Sequence, residues 1–162
     1  MKLSVVERTM LANQFRIRQR LEDDENFGKF ADILERGYEK LYPRIFEWFY
    51  EPTDKEIGDE VFDIFDMYRA LNNAYRRGLK PPAKAYHPKF DGFDGNNDAH
   101  FGIGSFVVDD LGLWAELKDR PRNSHSMSTL KTYREMLKIW IDMGRPFDLT
   151  QEQVNQIAIG HE

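Results

Sequence analysis

Residues 53–78 read TDKEIGDEVFDIFDMYRALNNAYRRG, and this stretch decides the fold class. Ile57, Val61, Ile64, Phe65, Tyr68, Leu71 and Tyr75 recur mostly at three- and four-residue intervals. That spacing keeps side chains on one side of an α-helix, whereas a strand needs alternation. Thr53-x-x-Glu56 has the form of a capping box, in which both side chains take up free backbone donors of the first turn. Gly78 fits a helix stop. Glu56, Asp59, Asp63 and Asp66 gather on another face, three or four residues apart. Carboxylate metal sites in helical bundles use such spacing, but they point inward and add Glu-x-x-His motifs from neighbouring helices. At ~100° per residue these acids lie opposite the Ile57–Val61–Ile64–Tyr68 stripe, and Glu-x-x-His occurs nowhere in the chain. The acidic face is expected to be solvated and to hold no metal.

The same period runs outward in both directions. Ser4-x-x-Glu7 is a second capping box, and Leu3, Val6, Met10, Ile17 and Leu21 form the expected inward face of a first helix. A second helix is predicted from about Glu25 to Leu41, turning Phe27, Phe30, Ile33, Leu34, Tyr38 and Leu41 inward. Pro43 can open a short third helix, which Pro52 ends. Lys80 to Gly95 contains three Pro and two Gly and reads as a long irregular connection. Asn96 to Asp98 can cap a helix running through His100 to about Asp110. A second loop spans Asp119 to Ser126. Ser128 then caps a helix through Met143, with Leu130, Tyr133, Leu137, Trp140 and Ile141 inward. Thr150-x-x-Gln153 starts the last helix, which buries Val154 and Ile157. Ser105 to Val108 alternates, but is too short to found a sheet. The expectation is an all-α, irregular multihelical bundle of about six or seven helices. It forms a single domain over 1–162: a helical N-terminal part at about 3–78, a loop at about 79–95, and a helical C-terminal part at about 96–160.

Composition removes several function classes. The 162 residues contain no Cys, so disulfide scaffolds, thiol redox centres and cysteine-ligated zinc are excluded. A net charge of −5 argues against the basic face that a duplex footprint needs. In MKLSVVERTMLANQF (1–15) the apolar residues are broken by Glu7, Arg8, Asn13 and Gln14, so no secretory signal is expected. No window approaches the ~18 uncharged residues needed to cross a bilayer. A cytoplasmic protein without membrane partners is expected.

No catalytic residue or cofactor is assigned. Asp94, Asn96 and Asp98 imitate the first ligands of a calcium loop, but Ala99 and Ser105 stand where that loop needs Gly and Glu. His87, His100, His125 and His161 lack metal-ligand spacing and any nucleophile motif, although His100, close to Asp98, is conceivable as an acid–base group. Arg16, Arg18 and Arg20 point to different sides of their helix and precede four acids, so ion pairing is expected rather than nucleic-acid binding. Asn13 falls within the Val6–Met10–Ile17 face, which directs an amide toward the core, where it must be hydrogen-bonded. With Gln14, Glu35, Arg36 and Tyr68 it forms either a register-fixing polar network or a small-molecule pocket between the first, second and fourth helices. Leu11 and Phe15 lie on the opposite side of the first helix. Together with Ile45, Phe46, Trp48 and Phe49 they are more apolar side chains than so short a segment can bury, and they are the candidate contact surface.

Across nearly its whole length the chain resembles the YfbU family. The stretches that carry the likeness are ERTMLANQF (7–15), ILERGYE (33–39), IFDMYRAL (64–71), FDGFDGNNDAHFG (90–102), STLKTYREMLKIW (128–140) and LTQEQVNQI (149–157). The resemblance implies a multihelical, cytosolic bacterial protein that self-associates, and it implies no reaction. Longer members carry a DNA-binding segment ahead of this domain, and the present chain is expected to lack one. The run Tyr42 to Tyr50, the loop Lys80 to Pro88 and the stretch Trp114 to Arg122 depart from the family pattern. The functional expectation is a non-enzymatic, self-associating interaction protein, most simply a dimer. The alternatives are a small-molecule binder or unrecognised enzyme using the polar pocket, and a nucleic-acid-linked regulator.

Overall fold

The structure, a computed structural model, describes residues 2–47, 49 and 52–158. Among these, the helical period is realised as α1 (Val5–Glu22), α2 (Glu25–Arg36), α3 (Tyr42–Ile45), α4 (Lys55–Arg76), α5 (His100–Ser105), α6 (Thr129–Asp142) and α7 (Gln151–Ile157). Short 3-10 turns occupy Glu39–Leu41 and Ala115–Leu117, and α5 runs on into a π turn over Phe106–Asp110. No strand forms among the described residues; an isolated bridge joins Phe93 to Asn123. The fold is all-α and multihelical.

Two of the three capping boxes close. Ser4 and Glu7 bond reciprocally at the start of α1, as Thr150 and Gln153 do at the start of α7. Thr53 does not, because α4 starts one residue later than the motif requires, with Asp54 at its N-cap. The helices gather into two compact units, Met1–Pro52 and Thr53–Glu162.

The first unit is an αα-hairpin with α3 added. Asp23 turns the chain in the left-handed region (φ 51°), and the Asp24 carboxylate accepts the Asn26 N–H to start α2. Its core is small: Ala12, Ala31, Leu34, Tyr42 and Ile45 are buried, with Leu3, Leu11, Phe15, Phe30, Ile33 and Phe46 packed around them.

The second unit is built on α4, which buries Val61, Ile64, Phe65, Met67, Tyr68, Ala70, Leu71 and Ala74. An aromatic nest surrounds it, with ring centroids 5.1 Å apart for Phe65 and Phe90 and 5.3 Å for Tyr68 and Tyr133. Phe90 and Phe93, which the sequence places in a structureless loop, are both buried here. Gly92 makes that possible. It has φ +90°, and a Cβ on it would lie 2.6 Å from the Arg122 carbonyl oxygen. The Phe93 N–H donates to that same oxygen at 2.9 Å, and the Ser124 N–H donates to the Phe93 carbonyl at 2.9 Å. The connection is packed against the second loop.

The acidic face of α4 is only partly solvated. Glu56 and Asp59 are exposed, but Asp63 accepts two bonds from Arg145 at 2.6 and 2.8 Å, and Asp66 accepts from Trp114 Nε1 at 2.8 Å. Arg145 and Trp114 both occupy the left-handed region, at φ 58° and 46°. Their partners lie far away in sequence, which is why helical spacing alone reads these acids as water-facing.

Candidate functional site

The first unit's hairpin is held by arginines. Arg16 donates to Asp32 at 2.6 Å and to Glu35 at 2.8 Å, and both bonds push its pKa further upward. Arg8 donates to the Leu34 carbonyl at 3.1 Å near the C-terminus of α2. Arg18 pairs with Glu22 at 2.8 Å and lies 4.0 Å over the Phe27 ring. The arginine cluster is thus largely occupied within its own unit, and Arg20 alone of the three is exposed without an ion pair to a described residue.

These contacts fix which side of α1 faces α2, and it is not the side the sequence spacing selects. Arg8, Ala12, Phe15, Arg16 and Gln19 face α2. Val6, Met10, Ile17 and Leu21 are 68, 64, 51 and 80% exposed. At ~100° per residue these four span ~60° of the wheel, nearly opposite Ala12, Phe15 and Gln19. The correction has a simple cause. The first helix is apolar on two sides, and the aromatic trio Phe15, Phe27 and Phe30, with centroids 5.5 to 6.4 Å apart, seals the α2 side. Asn13 consequently points outward, is exposed, and makes no side-chain hydrogen bond to a described residue.

The sequence-selected polar residues are distributed over several surfaces. Asn13 and Glu35 share a shallow depression of about 280 Å³ with Arg8, Thr9 and Leu34. Gln14 lines a larger groove, and Arg36 lines a third depression beside Gly37 and Glu39. Tyr68 belongs to the second unit, where it is fully buried and donates to the His87 carbonyl at 2.9 Å. Enclosure raises its pKa well above the usual phenol range.

The larger groove, of about 760 Å³, gathers Leu11, Phe15, Ile45 and Phe49. Ile45 is buried, Leu11 and Phe15 are half-buried, and Phe46 packs edge-on to Phe49 at 6.0 Å. Phe49 is 75% exposed. Trp48 lies outside the described residues, as does His161.

Comparison with known proteins decides the relationship. The YfbU domain family model matches residues 1–159. The chain belongs to the YfbU family. A UPF0304 protein of the archaeon Methanocaldococcus jannaschii is 30% identical over 166 residues, covering 96% of this chain and 98% of that protein. YfbU membership therefore does not by itself make the chain bacterial. No helix of the described residues is long and apolar enough to cross a membrane.

In the second unit of this YfbU domain, two histidines sit in polar networks that the sequence did not expose. His100 Nε2 lies 2.6 Å from Glu60 Oε2, while Arg134 clamps the same carboxylate with bonds of 2.7 and 2.8 Å. Arg134, burial and His100 act on the Glu60 pKa in that order, with a net lowering. The ionised carboxylate can only accept, so His100 carries its proton on Nε2 toward it. Its Nδ1 is buried with no hydrogen-bond partner among the described residues. His87, at φ 40°, places Nδ1 2.8 Å from Asp91, whose other oxygen accepts from Arg120 at 2.6 Å. Neither histidine is near a third ligand: among the described residues no group of three or more His, Asp or Glu side chains is placed to hold a metal. Asp94, the candidate calcium ligand, instead accepts from Asn97 Nδ2 at 2.6 Å and from the Asn96 N–H at 2.9 Å, which lowers its pKa.

Proposed function

We propose that this YfbU-family chain works in the cytoplasm as a non-enzymatic interaction protein that self-associates, most simply as a symmetric dimer, through its first unit. The observation that carries the reading is the bare apolar stripe on α1, where Val6, Met10, Ile17 and Leu21 are each more than half exposed. Single exposed apolar residues need no explanation, but a continuous stripe over four turns does. The occupant proposed is a second copy of the chain, which would bring an identical bare stripe to face this one. The test is multi-angle light scattering over a wide concentration range. A mass approaching twice the 19.2 kDa of the chain is expected at high concentration. A single-chain mass throughout would sink the reading.

The groove supports a second reading, that of a small-molecule binder. Its volume falls within the usual range for ligand sites, and its lining is half apolar and half polar, with Arg18, Arg44, Asp24 and Glu47 as the charged side chains. A bound metabolite at 100 times its dissociation constant adds about 2.7 kcal/mol of stability, so a thermal-shift screen would reveal it. The nucleic-acid-linked alternative rests on the arginine cluster, most of which is neutralised by carboxylates. Retention on DNA or RNA at low salt is its test.

A further inference from the structure

We propose that His87 is a phosphoryl-accepting residue, whose Nε2 takes up a phosphoryl group from a phosphoramidate donor. The site lies wholly in the second unit and does not depend on self-association. Three observations converge on it. First, the backbone is held where it would not settle by itself. A residue followed by proline favours extended backbone, and Pro88 follows His87, yet His87 has φ 40°. Positive φ at a residue other than glycine is uncommon and collects at functional positions. The buried Tyr68 holds this turn, its hydroxyl donating to the His87 carbonyl at 2.9 Å.

Second, one ring nitrogen is fixed and the other is free. Nδ1 lies 2.8 Å from one Asp91 oxygen, and the other Asp91 oxygen accepts from Arg120 at 2.6 Å. A carboxylate paired with arginine only accepts, so Nδ1 carries the ring proton and Nε2 keeps its lone pair. The Tyr133 ring meets the imidazole edge to face, with centroids 5.7 Å apart. Nε2 has no hydrogen-bond partner among the described residues and, unlike His100 Nδ1, it is not buried. The exposed His125 ring, by contrast, pairs with no described carboxylate.

Third, the surrounding chain suits an anion. From Met67 to Phe90 there are Arg69, Arg76, Arg77, Lys80, Lys84 and Lys89 but no Asp or Glu. Lys84 and Lys89 are exposed and form no ion pair with a described residue. At no more than ~3.6 Å of chain per residue, both lie within ~11 Å of His87, a separation that the lysine and histidine side chains together can bridge.

The step balances without a cofactor. The Nε2 lone pair forms the new N–P bond as the P–N bond of the N-protonated donor breaks, and the donor nitrogen leaves with that electron pair as an amine. No proton leaves the ring. Nδ1–H stays on Asp91, whose carboxylate offsets the positive charge that the imidazole gains. The bond formed is of the kind broken, so the transfer needs no other source of free energy.

Potassium phosphoramidate is the probe, with mass mapping and phosphorus NMR as readouts. His87 should be labelled at least about tenfold faster than His125 or His161, and on Nε2 alone, whereas an unrestrained histidine can take the group on either nitrogen. This comparison is made within the parent chain, so it does not depend on how any variant folds. In Asp91→Asn the carboxamide can donate as well as accept, which frees the tautomer. Labelling should then slow and an Nδ1 product should appear, with circular dichroism unchanged. Lys89→Gln should slow labelling by about two- to fivefold, and by less at high salt. Labelling of His87 no faster than that of His125, or on Nδ1, overturns the proposal. So does an Asp91→Asn chain that keeps both the parent rate and the Nε2 product, because the Asp91 bond would then contribute nothing to the acceptor.

Discussion

The helices α1 and α4 are both long and both patterned at three and four, yet they end differently. The 22 residues of α4 bury eight side chains, whereas the 18 residues of α1 bury one, Ala12. The difference lies in what surrounds them. α4 is surrounded by elements of its own unit: α5, α6, α7 and the Phe90–Phe93 connection close over it. The first unit supplies α1 with one neighbouring long helix, α2, and its second apolar side stays bare. An amphipathic pattern therefore shows that a face needs a partner, but not whether the partner is in the same chain.

Substitutions on the two helices should make that contrast measurable. The largest effect is expected for Phe65→Ala on α4, which empties space at the centre of the aromatic nest. It should cost about 3–5 kcal/mol in chemical denaturation. A loss below ~1 kcal/mol would mean that the nest is looser than its ring distances imply. Next comes Tyr133→Phe. The Tyr133 hydroxyl accepts the Asp91 N–H at 2.9 Å and donates to the Gly92 carbonyl at 3.1 Å. Thr129 also donates to that carbonyl, at 2.8 Å, so the unsatisfied group would be the Asp91 N–H, at about 1–3 kcal/mol.

A smaller effect is expected from acid. The folded-state pKa of Glu60 lies below the usual carboxylate value, with Arg134 the chief cause. Its contribution is thus complete above about pH 4.3 and is lost as pH falls through the lowered value. Glu60→Gln should remove that part of the acid sensitivity and cost about 1 kcal/mol or less at neutral pH, because Arg134 is half exposed. Equal acid sensitivity in the variant and the parent would assign the effect to other carboxylates. The smallest effect is expected for Met10→Ser on α1. Measured at concentrations where the chain is single, it should change stability by less than about 0.5 kcal/mol. A larger loss would show that the α1 stripe is covered within its own chain.

The fold was readable where the signal is local. The capping boxes at Ser4 and Thr150 form as their sequences require, because both partners of each bond lie within one turn. The long helices follow from their periodicity for the same reason. What failed to show was long-range. Nothing in the local pattern of Asp63 or Asp66 announces Arg145 or Trp114, 82 and 48 residues away. Phe90 and Phe93 were hidden by the Gly and Asp residues between and around them, which signal a turn but not its burial. For the candidate site, the sequence identified α1 as apolar on two sides and then chose the wrong side as the inward one. Helical spacing fits both sides, and only the position of α2 decides between them.

Glu60 also has an evolutionary consequence. One carboxylate on α4 joins His100 at the start of α5 to Arg134 on α6, across 40 and 74 residues of sequence. A chain that replaces Glu60 leaves a histidine and an arginine together without their shared anion. The three positions are therefore expected to change as a set among YfbU relatives. Where the acid is lost, an apolar or uncharged trio should stand in its place.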